Sequence, residues 1–366
     1  MPSKSLNDAF RGHPVTLHSK HIDFRSLREL PESFKWNPAD NDDLSSSSLG
    51  DTVPVINLFE EEAMDNIGEA CKTWGVFQVI NHGVSPSLLK KMEELCLRLF
   101  KLPIKRKVKA ARQPDGVAGY GVARISSFFS KRMWSEGFTI LGSPLDHFRQ
   151  LWPHEFAKRW SEMIAEYEEQ MRDLSAKLML GMVNVLGITM DDIKWASSKV
   201  SRAALQLNYY PPCPEPDQAM GLAAHTDSTL LTILYQSNTA GLQVVREGTG
   251  WVTVPPIPGG LIVNVGDLFH ILSNGIYRSA LHQARVNQTR NRISVAYLFG
   301  PPPHVEISPL TQLVSPNRPA LYRPITWNEY LGIKAKLFNK GLSSVLACPS
   351  INLSEPSEEG DNCGNT

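Results

Sequence analysis

The 366-residue sequence lacks the features that mark several classes of protein. It has no excess charge, since 37 basic residues balance 37 acidic ones, and this indicates neither nucleic acid nor an anionic membrane as a partner. It has no run approaching the ~20 apolar residues that a membrane span needs. Because the first thirty residues lack the apolar run of a signal peptide, the expected location is the cytoplasm.

Cysteines are also few, and their pattern is likewise compatible with the cytoplasm. There are five, an odd number without any CxxC spacing. This pattern disfavours a disulfide framework or a zinc knuckle and predicts reduced thiols. The apolar fraction of 42% and the charged fraction of 20% are ordinary for an enzyme with a substantial core.

The sequence pattern changes near residue 200. Before it, helical patterns dominate, and the longest runs from Ser161 to Leu186. After it, short strand-like runs are separated by Gly, Pro, Asn and Asp about every ten residues, which predicts an all-β barrel or sandwich closed by a helix at 326–342. The predicted regions are a lead-in at 1–50 with a flexible serine run at 45–48, a helical region at 51–200, the β core at 201–345 and a polar, disordered tail at 346–366.

Three residues of the β-rich half form a candidate metal site. His225 and Asp227 are separated by one residue, so on an extended segment their side chains share a face. His282 lies 55 residues beyond Asp227. Two imidazoles and one carboxylate are the ligand set of non-haem Fe(II) oxygenases, which leaves positions open. Each histidine taken alone is equally compatible with an ordinary hydrogen-bonded or surface residue, and a zinc hydrolase or lyase could use the same ligands.

A second group of residues could hold the distal carboxylate of a keto acid. Arg292 and Ser294 would face the same side of one strand, and an arginine fork pairs with a carboxylate through two parallel hydrogen bonds. Tyr210 is a candidate for a further hydroxyl donor. Arg285 and Arg290 crowd the same stretch, so Arg292 could instead be a solvent-exposed charge. A zinc hydrolase would have no need of such a pair.

These elements together resemble the plant 2-oxoglutarate- and Fe(II)-dependent dioxygenases. The matching segments are Asn208-Tyr-Tyr-Pro-Pro-Cys213, His225-Thr-Asp227, Asn264-Val-Gly-Asp267, His282 and Arg292-Ile-Ser294, with Trp74-Gly-Val-Phe77 and Asn81-His-Gly83 nearer the N-terminus. The resemblance implies a distorted double-stranded β-helix (jelly roll) flanked by a helical N-terminal region and a C-terminal helix. It further implies Fe(II) on His225, Asp227 and His282, and 2-oxoglutarate held by Arg292, Ser294, Tyr210 and Asn208. O2 is then the second co-substrate, with ascorbate supporting activity.

Within that family, further segments are similar to the gibberellin 3-beta-hydroxylases. They are Phe10-Arg-Gly-His-Pro14, Ser26-Leu-Arg-Glu-Leu-Pro31, Gly119-Tyr-Gly-Val-Ala-Arg124, Met133-Trp-Ser-Glu-Gly-Phe-Thr139 and Leu222-Ala-Ala-His-Thr-Asp-Ser-Thr-Leu230. This resemblance implies hydroxylation at C3 of C19 gibberellin precursors, which are small diterpenoids. The alternatives are a gibberellin 2- or 20-oxidase, a flavonoid oxygenase, or a hormone-binding protein without catalysis.

The substrate pocket is the least specified part of the prediction. A rigid, largely apolar diterpenoid carboxylate calls for an apolar pocket with few polar groups and one cation. The segment 119–138 has a suitable composition, and the candidates are Arg124, Tyr120, Phe128, Met133 and Trp134. Aromatic and Met residues at helical spacing are also typical of an ordinary core, so both interpretations stay open.

Overall fold

The computed structural model describes residues 6–10, 12–15, 22–36, 52–189, 191–197, 202–302 and 304–347. The serine run at 45–48 and residues 348–366 of the predicted tail lie outside the described residues. Among the described residues, Cys71, Cys96 and Cys213 are buried free thiols. The predicted division of the chain into regions stays a prediction.

The helices pack mainly against one face of a large sheet. They are α1 (Ala63–Thr73), α2 (Pro86–Lys101), α3 (Ile104–Lys107), α4 (Pro144–Phe148), α5 (His154–Val185), α6 (Asp267–Leu272) and α7 (Trp327–Leu337). Helix α5 buries a stripe at intervals of three and four that includes Tyr167, Met171, Leu174 and Leu178, as expected of an amphipathic helix. Gly187 follows its end with a φ of 74°, a left-handed conformation that glycine adopts without steric cost.

Most strands belong to two sheets. The strands are β1 (Val55–Asn57), β2 (Val76–Ile80), β3 (Gly119–Gly121), β4 (Glu136–Ile140), β5 (Arg202–Tyr210), β6 (Leu222–His225), β7 (Leu231–Gln236), β8 (Leu242–Arg246), β9 (Gly250–Thr253), β10 (Leu261–Val265), β11 (His282–Ala284), β12 (Arg292–Gly300), β13 (Glu306–Ile307) and β14 (Ile325–Thr326). The larger sheet has the order β1-β2-β10-β7-β12-β5-β4-β3 and the smaller one β6-β11-β8-β9. Strands β13 and β14 pair separately.

An apolar cluster joins the two sheets face to face. Leu234 and Ile262 of the larger sheet pack with Leu242, Val244 and Val252 of the smaller one. A larger cluster buries α1, α2 and α5 against the opposite face of the larger sheet. The result is a β sandwich covered by helices on one side. The predicted fold class, a mainly β core with helices, is confirmed.

The region at 51–200, where the sequence predicts short strands at 53–58 and 76–80 among helices, supplies four strands to the larger sheet. Strand β2 pairs with β10, and β4 pairs with β5, so both ends of this sheet come from the N-terminal half. Strands β3 and β4 were not predicted. Of the helices described, none combines the length and apolar character that crossing a membrane requires.

Candidate active site

His225, Asp227 and His282 meet between two paired strands of the smaller sheet. His225 ends β6 and His282 begins β11, and these two residues are direct cross-strand partners. Their ring centroids are 4.3 Å apart. The Asp227 Oδ1 atom lies 3.8 Å from Nε2 of His225 and 3.9 Å from Nε2 of His282. The pairing therefore directs three ligand atoms toward one point, all within 4.8 Å of one another.

Backbone carbonyls fix which ring nitrogens face that point. Nδ1 of His225 lies 2.9 Å from the oxygen of Ala223, and Nδ1 of His282 lies 3.0 Å from the oxygen of Ala280. Because a carbonyl can only accept, each Nδ1 carries the proton and each Nε2 presents a lone pair.

Electrostatics favour the protonation states that bind a metal. Burial, reinforced by His282, lowers the pKa of His225 to about 4, so this imidazole is neutral at pH 7. Burial opposes ionisation of Asp227, but the two neighbouring histidines and its hydrogen bonds outweigh that effect and lower its pKa. The two Nε2 atoms and an ionised carboxylate, with other positions open, are a ligand set that fits Fe(II).

A buried carboxylate, Asp267, braces the segment that carries two of the three ligands. Its Oδ2 accepts hydrogen bonds from Thr226 Oγ1 at 3.0 Å, from Tyr330 at 2.7 Å and from Lys334 Nζ at 2.9 Å. Lys334 also donates to the Thr226 hydroxyl at 2.6 Å and to its carbonyl at 3.2 Å. Thr226 stands between His225 and Asp227 in the chain, so helix α7 holds this turn in place.

The same carboxylate also supports the third ligand. Oδ1 of Asp267 accepts from Ser279 Oγ at 2.6 Å, and Ser279 precedes Ala280, whose carbonyl orients His282. The Asp267 backbone N–H donates to the carbonyl of Asp227 at 2.8 Å. The sequence placed Asp267 in a motif without giving it a role, and no sequence pattern indicated Lys334.

We expect Lys334→Met to weaken Fe(II) binding by roughly 10–100-fold, the usual cost of losing a group that orients metal ligands. Anaerobic calorimetric titration of the metal-free protein with Fe(II) measures the affinity. Lys336→Met is the matched control, since Lys336 lies on the same helix and is exposed. Equal metal affinity in the two variants would show that Lys334 supports only the fold.

Arg292 is a buried cation without an acidic partner among the described residues. It is 2% exposed, and its Nη2 donates to Gln236 Oε1 at 3.0 Å while its buried Nε has no partner. Its guanidinium carbon lies 5.0 Å from the centre of the Tyr210 ring, across the β12–β5 ladder. On the same ladder, Ser294 Oγ accepts from Asn208 Nδ2 at 3.3 Å. A buried arginine of this kind is suited to an anionic ligand.

A single cavity of about 300 Å³ brings these groups together. Its lining includes the three candidate metal ligands and Arg292, Ser294, Asn208 and Tyr210. The candidate ligands expose only 10–15% of their side chains, so the site is largely shielded from water yet reachable from the cavity.

Two of the five predicted substrate residues line this cavity. Phe128 does so, stacked on Phe338 of the 338–340 turn with ring centroids 4.9 Å apart. Arg124 also lines it, but its guanidinium is held by backbone carbonyls: Nη2 donates to His13 at 2.9 Å and Nη1 to Gly116. Arg124 therefore ties the N-terminal segment down and has few donors left for a ligand.

The other three are not among the residues that line this cavity, and their role in substrate binding stays a prediction. Trp134 is fully buried in a separate cluster with Phe34, and its Nε1 donates to the carbonyl of Pro211 at 3.2 Å. Met133 packs in another small cluster. The Tyr120 hydroxyl donates to Glu136 at 2.5 Å. Tyr120 and Met133 instead line a second cavity of about 500 Å³, and Trp134 lies in the core.

Two family models match the chain. The model described as the 2OG-Fe(II) oxygenase superfamily matches residues 201–301, and the one described as non-haem dioxygenase in morphine synthesis N-terminal matches residues 53–162. Among curated proteins, gibberellin 3-beta-dioxygenase 1 of Pisum sativum is 59% identical over 95% of both chains. Gibberellin 3-beta-dioxygenase 1 of Arabidopsis thaliana is 58% identical over 93% of this chain and 97% of its own.

Solved structures of dioxygenases are also similar to this chain, at lower sequence identity. The crystal structure of JOX2 in complex with 2OG, Fe and JA superposes with a TM-score of 0.76 and 32% identity, covering 88% of this chain and 95% of that one. The dioxygenase for auxin oxidation from rice superposes with a TM-score of 0.66 and 25% identity, covering 81% and 100%.

Proposed function

The chain belongs to the 2OG-Fe(II) oxygenase superfamily, and we propose on that basis that it hydroxylates C3, in the 3-beta position, of C19 gibberellin precursors. It is an enzyme that uses Fe(II), 2-oxoglutarate and O2. The observation that carries the proposal is the shared cavity, which is lined by a His-Asp-His cluster and by a buried arginine without an acidic partner among the described residues. The extensive identity with gibberellin 3-beta-dioxygenases supports the choice of substrate.

In this proposal His225, Asp227 and His282 hold the metal. When bound, Fe(II) with 2-oxoglutarate and O2 supplies the oxidising power, so that the keto acid becomes succinate and CO2 while one oxygen atom enters a C–H bond of the substrate. The protein orients the ligands through the carbonyls of Ala223 and Ala280 and shields the site from water. This division of labour leaves selectivity to the cavity walls.

Arg292 binds the distal carboxylate of 2-oxoglutarate in this scheme. Its planar fork has donors to spare, since one N–H is used by Gln236 and its buried Nε has no partner. Ser294 and Tyr210 add hydroxyl groups on the same cavity wall, and Asn208 positions the Ser294 hydroxyl. A bidentate pair of this kind fixes both the position and the direction of the keto acid.

The substrate occupies the remaining, mainly apolar part of the cavity. Leu234, Leu242, Ala296 and Leu298 line it beside the polar groups. Such a wall suits the hydrocarbon rings of a diterpenoid, because burying apolar surface against apolar side chains is favourable and non-directional. We place the reaction in the cytoplasm, a location that the buried free thiols support.

Aerobic incubation with Fe(II), 2-oxoglutarate, ascorbate and a C19 gibberellin precursor tests the proposal. We expect one added oxygen at C3, identified by mass spectrometry against a 3-beta-hydroxylated standard, with one succinate per product. Ascorbate should increase the number of turnovers. Oxygen at C2 or oxidation at C20 would instead indicate a gibberellin 2- or 20-oxidase. Oxidation of a flavonoid alone would contradict the gibberellin substrate.

A further inference from the structure

Arg112 is a second buried cation on the cavity wall without an acidic partner among the described residues. Its side chain lines the cavity, yet the residue is only 8% exposed. One hydrogen bond is formed, from Nη2 to the carbonyl of Val122 at 2.6 Å, and the buried Nε has no partner in the described chain. Arg292 has the same combination of burial, cavity location and an unpartnered Nε. Both arginines therefore have free N–H donors with which to bind an anionic ligand in the cavity.

Elimination among the cations of the cavity singles out Arg112. Four Arg and Lys side chains line the cavity within the described residues: Arg112, Arg124, Arg292 and Lys334. Lys334 is paired with the buried Asp267, and Arg124 donates to backbone carbonyls. Arg292 is assigned to the co-substrate. Arg112 alone keeps most of its donors unassigned.

The Gly119-Tyr-Gly121 segment is shaped around Arg112. A Cβ on Gly119 would lie 2.8 Å from the Arg112 backbone nitrogen, and Gly119 has a φ of +118°, so a side chain is disfavoured twice over. A Cβ on Gly121 would lie 3.2 Å from Arg112 Nη2 and 3.3 Å from its Cζ. The Arg112 N–H donates to the Tyr120 carbonyl at 2.8 Å. Gly119 thus lets the strand lie against the Arg112 backbone, and Gly121 lets it lie against the guanidinium.

We propose that Arg112 binds the carboxylate of the terpenoid substrate, an inference that rests on the proposed function. A gibberellin precursor is a rigid apolar body that bears a free carboxylate, and a guanidinium in an apolar wall recognises that group through charge-assisted hydrogen bonds. With Arg292 holding the keto acid and Arg112 the substrate, the two anions have separate cations in one cavity. A fixed contact on a rigid molecule also determines which carbon faces the metal.

The test compares a C19 gibberellin acid with its methyl ester. Calorimetry without O2 measures the dissociation constants of both compounds on protein loaded with Fe(II) and 2-oxoglutarate. We expect Arg112→Met to weaken binding of the acid by roughly thirtyfold or more, as for other truncated buried charge pairs, and to leave the ester unchanged. The KM for 2-oxoglutarate should not change. Arg132→Met is the matched control, because Arg132 stacks on Phe34 and does not line this cavity.

Two further variants separate charge from packing. Arg112→Lys should retain part of the preference for the acid. Gly121→Ala keeps the charge but crowds the guanidinium, so it should reduce that preference by a few-fold even if Arg112→Met fails to fold. If Arg112→Met left the acid-to-ester ratio of dissociation constants at its wild-type value, the proposal for Arg112 would be overturned.

Product analysis of the wild-type enzyme keeps the two proposals apart. Hydroxylation at C3 together with an unchanged acid-to-ester ratio in Arg112→Met would refute the carboxylate site alone. Arg112-dependent binding of the acid together with oxidation at another carbon would refute the proposed C3 reaction alone. Wild-type protein that binds neither compound would refute both.

Discussion

Asp227→Ala is expected to abolish turnover. The substitution removes the only carboxylate of the three-residue cluster and leaves two imidazoles, whose Nε2 atoms each lie within 4 Å of the lost oxygen. With one ligand of three gone, the loss should exceed the roughly 10–100-fold change that follows removal of a group outside the metal ligands. Succinate formation and Fe(II) affinity, measured on the same preparation, check the result.

The control for this variant is Asp191→Ala, which removes a carboxylate whose side chain is 86% exposed and does not line the cavity. It should retain both activity and metal affinity. In the wild type, a chelator should inactivate the enzyme, Fe(II) should restore it, and Zn(II) should not. Turnover that survives in Asp227→Ala would remove this residue from the metal site.

Arg292→Met should raise the KM for 2-oxoglutarate by roughly 30-fold to several thousand-fold, which corresponds to ~2–5 kcal/mol for the truncation of one partner of a buried charge pair. The estimate applies because Arg292 is 2% exposed, so little water screens the contact. Initial rates at varied 2-oxoglutarate and saturating gibberellin measure it. The affinity for the gibberellin acid should change much less.

Arg292→Met and Arg112→Met act as controls for each other. Both replace a buried arginine of the same cavity by an apolar side chain of similar length. If the assignments hold, the first variant affects the keto acid and the second affects the substrate carboxylate. An unchanged KM for 2-oxoglutarate in Arg292→Met would mean that another group binds this co-substrate. If both variants raised the KM for 2-oxoglutarate and also weakened binding of the gibberellin acid, the result would indicate a general collapse of the cavity.

Sequence patterns predicted the longer strands of the core, such as β5, β7 and β12, but not the short strands β6 and β11 that carry the two histidines. Strand β12 is the clearest case: Arg292 and Ser294 were expected on one face, and both line the cavity. The His-x-Asp spacing worked for the same reason, although Asp227 itself lies just beyond the end of β6. Local rules suffice where a side chain's direction follows from the strand that carries it.

Local rules failed where long-range packing decides. Strand β3 is three residues of Gly-Tyr-Gly and has no alternation to detect, and β4 carries polar and apolar residues without a regular pattern. Trp134 and Phe128 are both aromatic residues of the same segment, yet Trp134 is fully buried and Phe128 lines the cavity. Arg112 follows a stretch rich in Lys and Arg that resembles an exposed basic segment. Only the approach of the glycine strand makes it a buried cation.

The contact between helix α7 and the Thr226 turn has a consequence for how the enzyme matures during synthesis. Lys334 reaches back across 108 residues to Thr226, and Tyr330 across 63 residues to Asp267. A chain still attached to the ribosome can pair β6 with β11 before α7 has emerged, but the turn between two of the iron ligands is then unbraced. Stable iron loading should therefore be one of the last events, after the C-terminal helix has docked. A chain truncated before residue 327 lacks this brace, so we expect it to lose iron faster than the full-length chain.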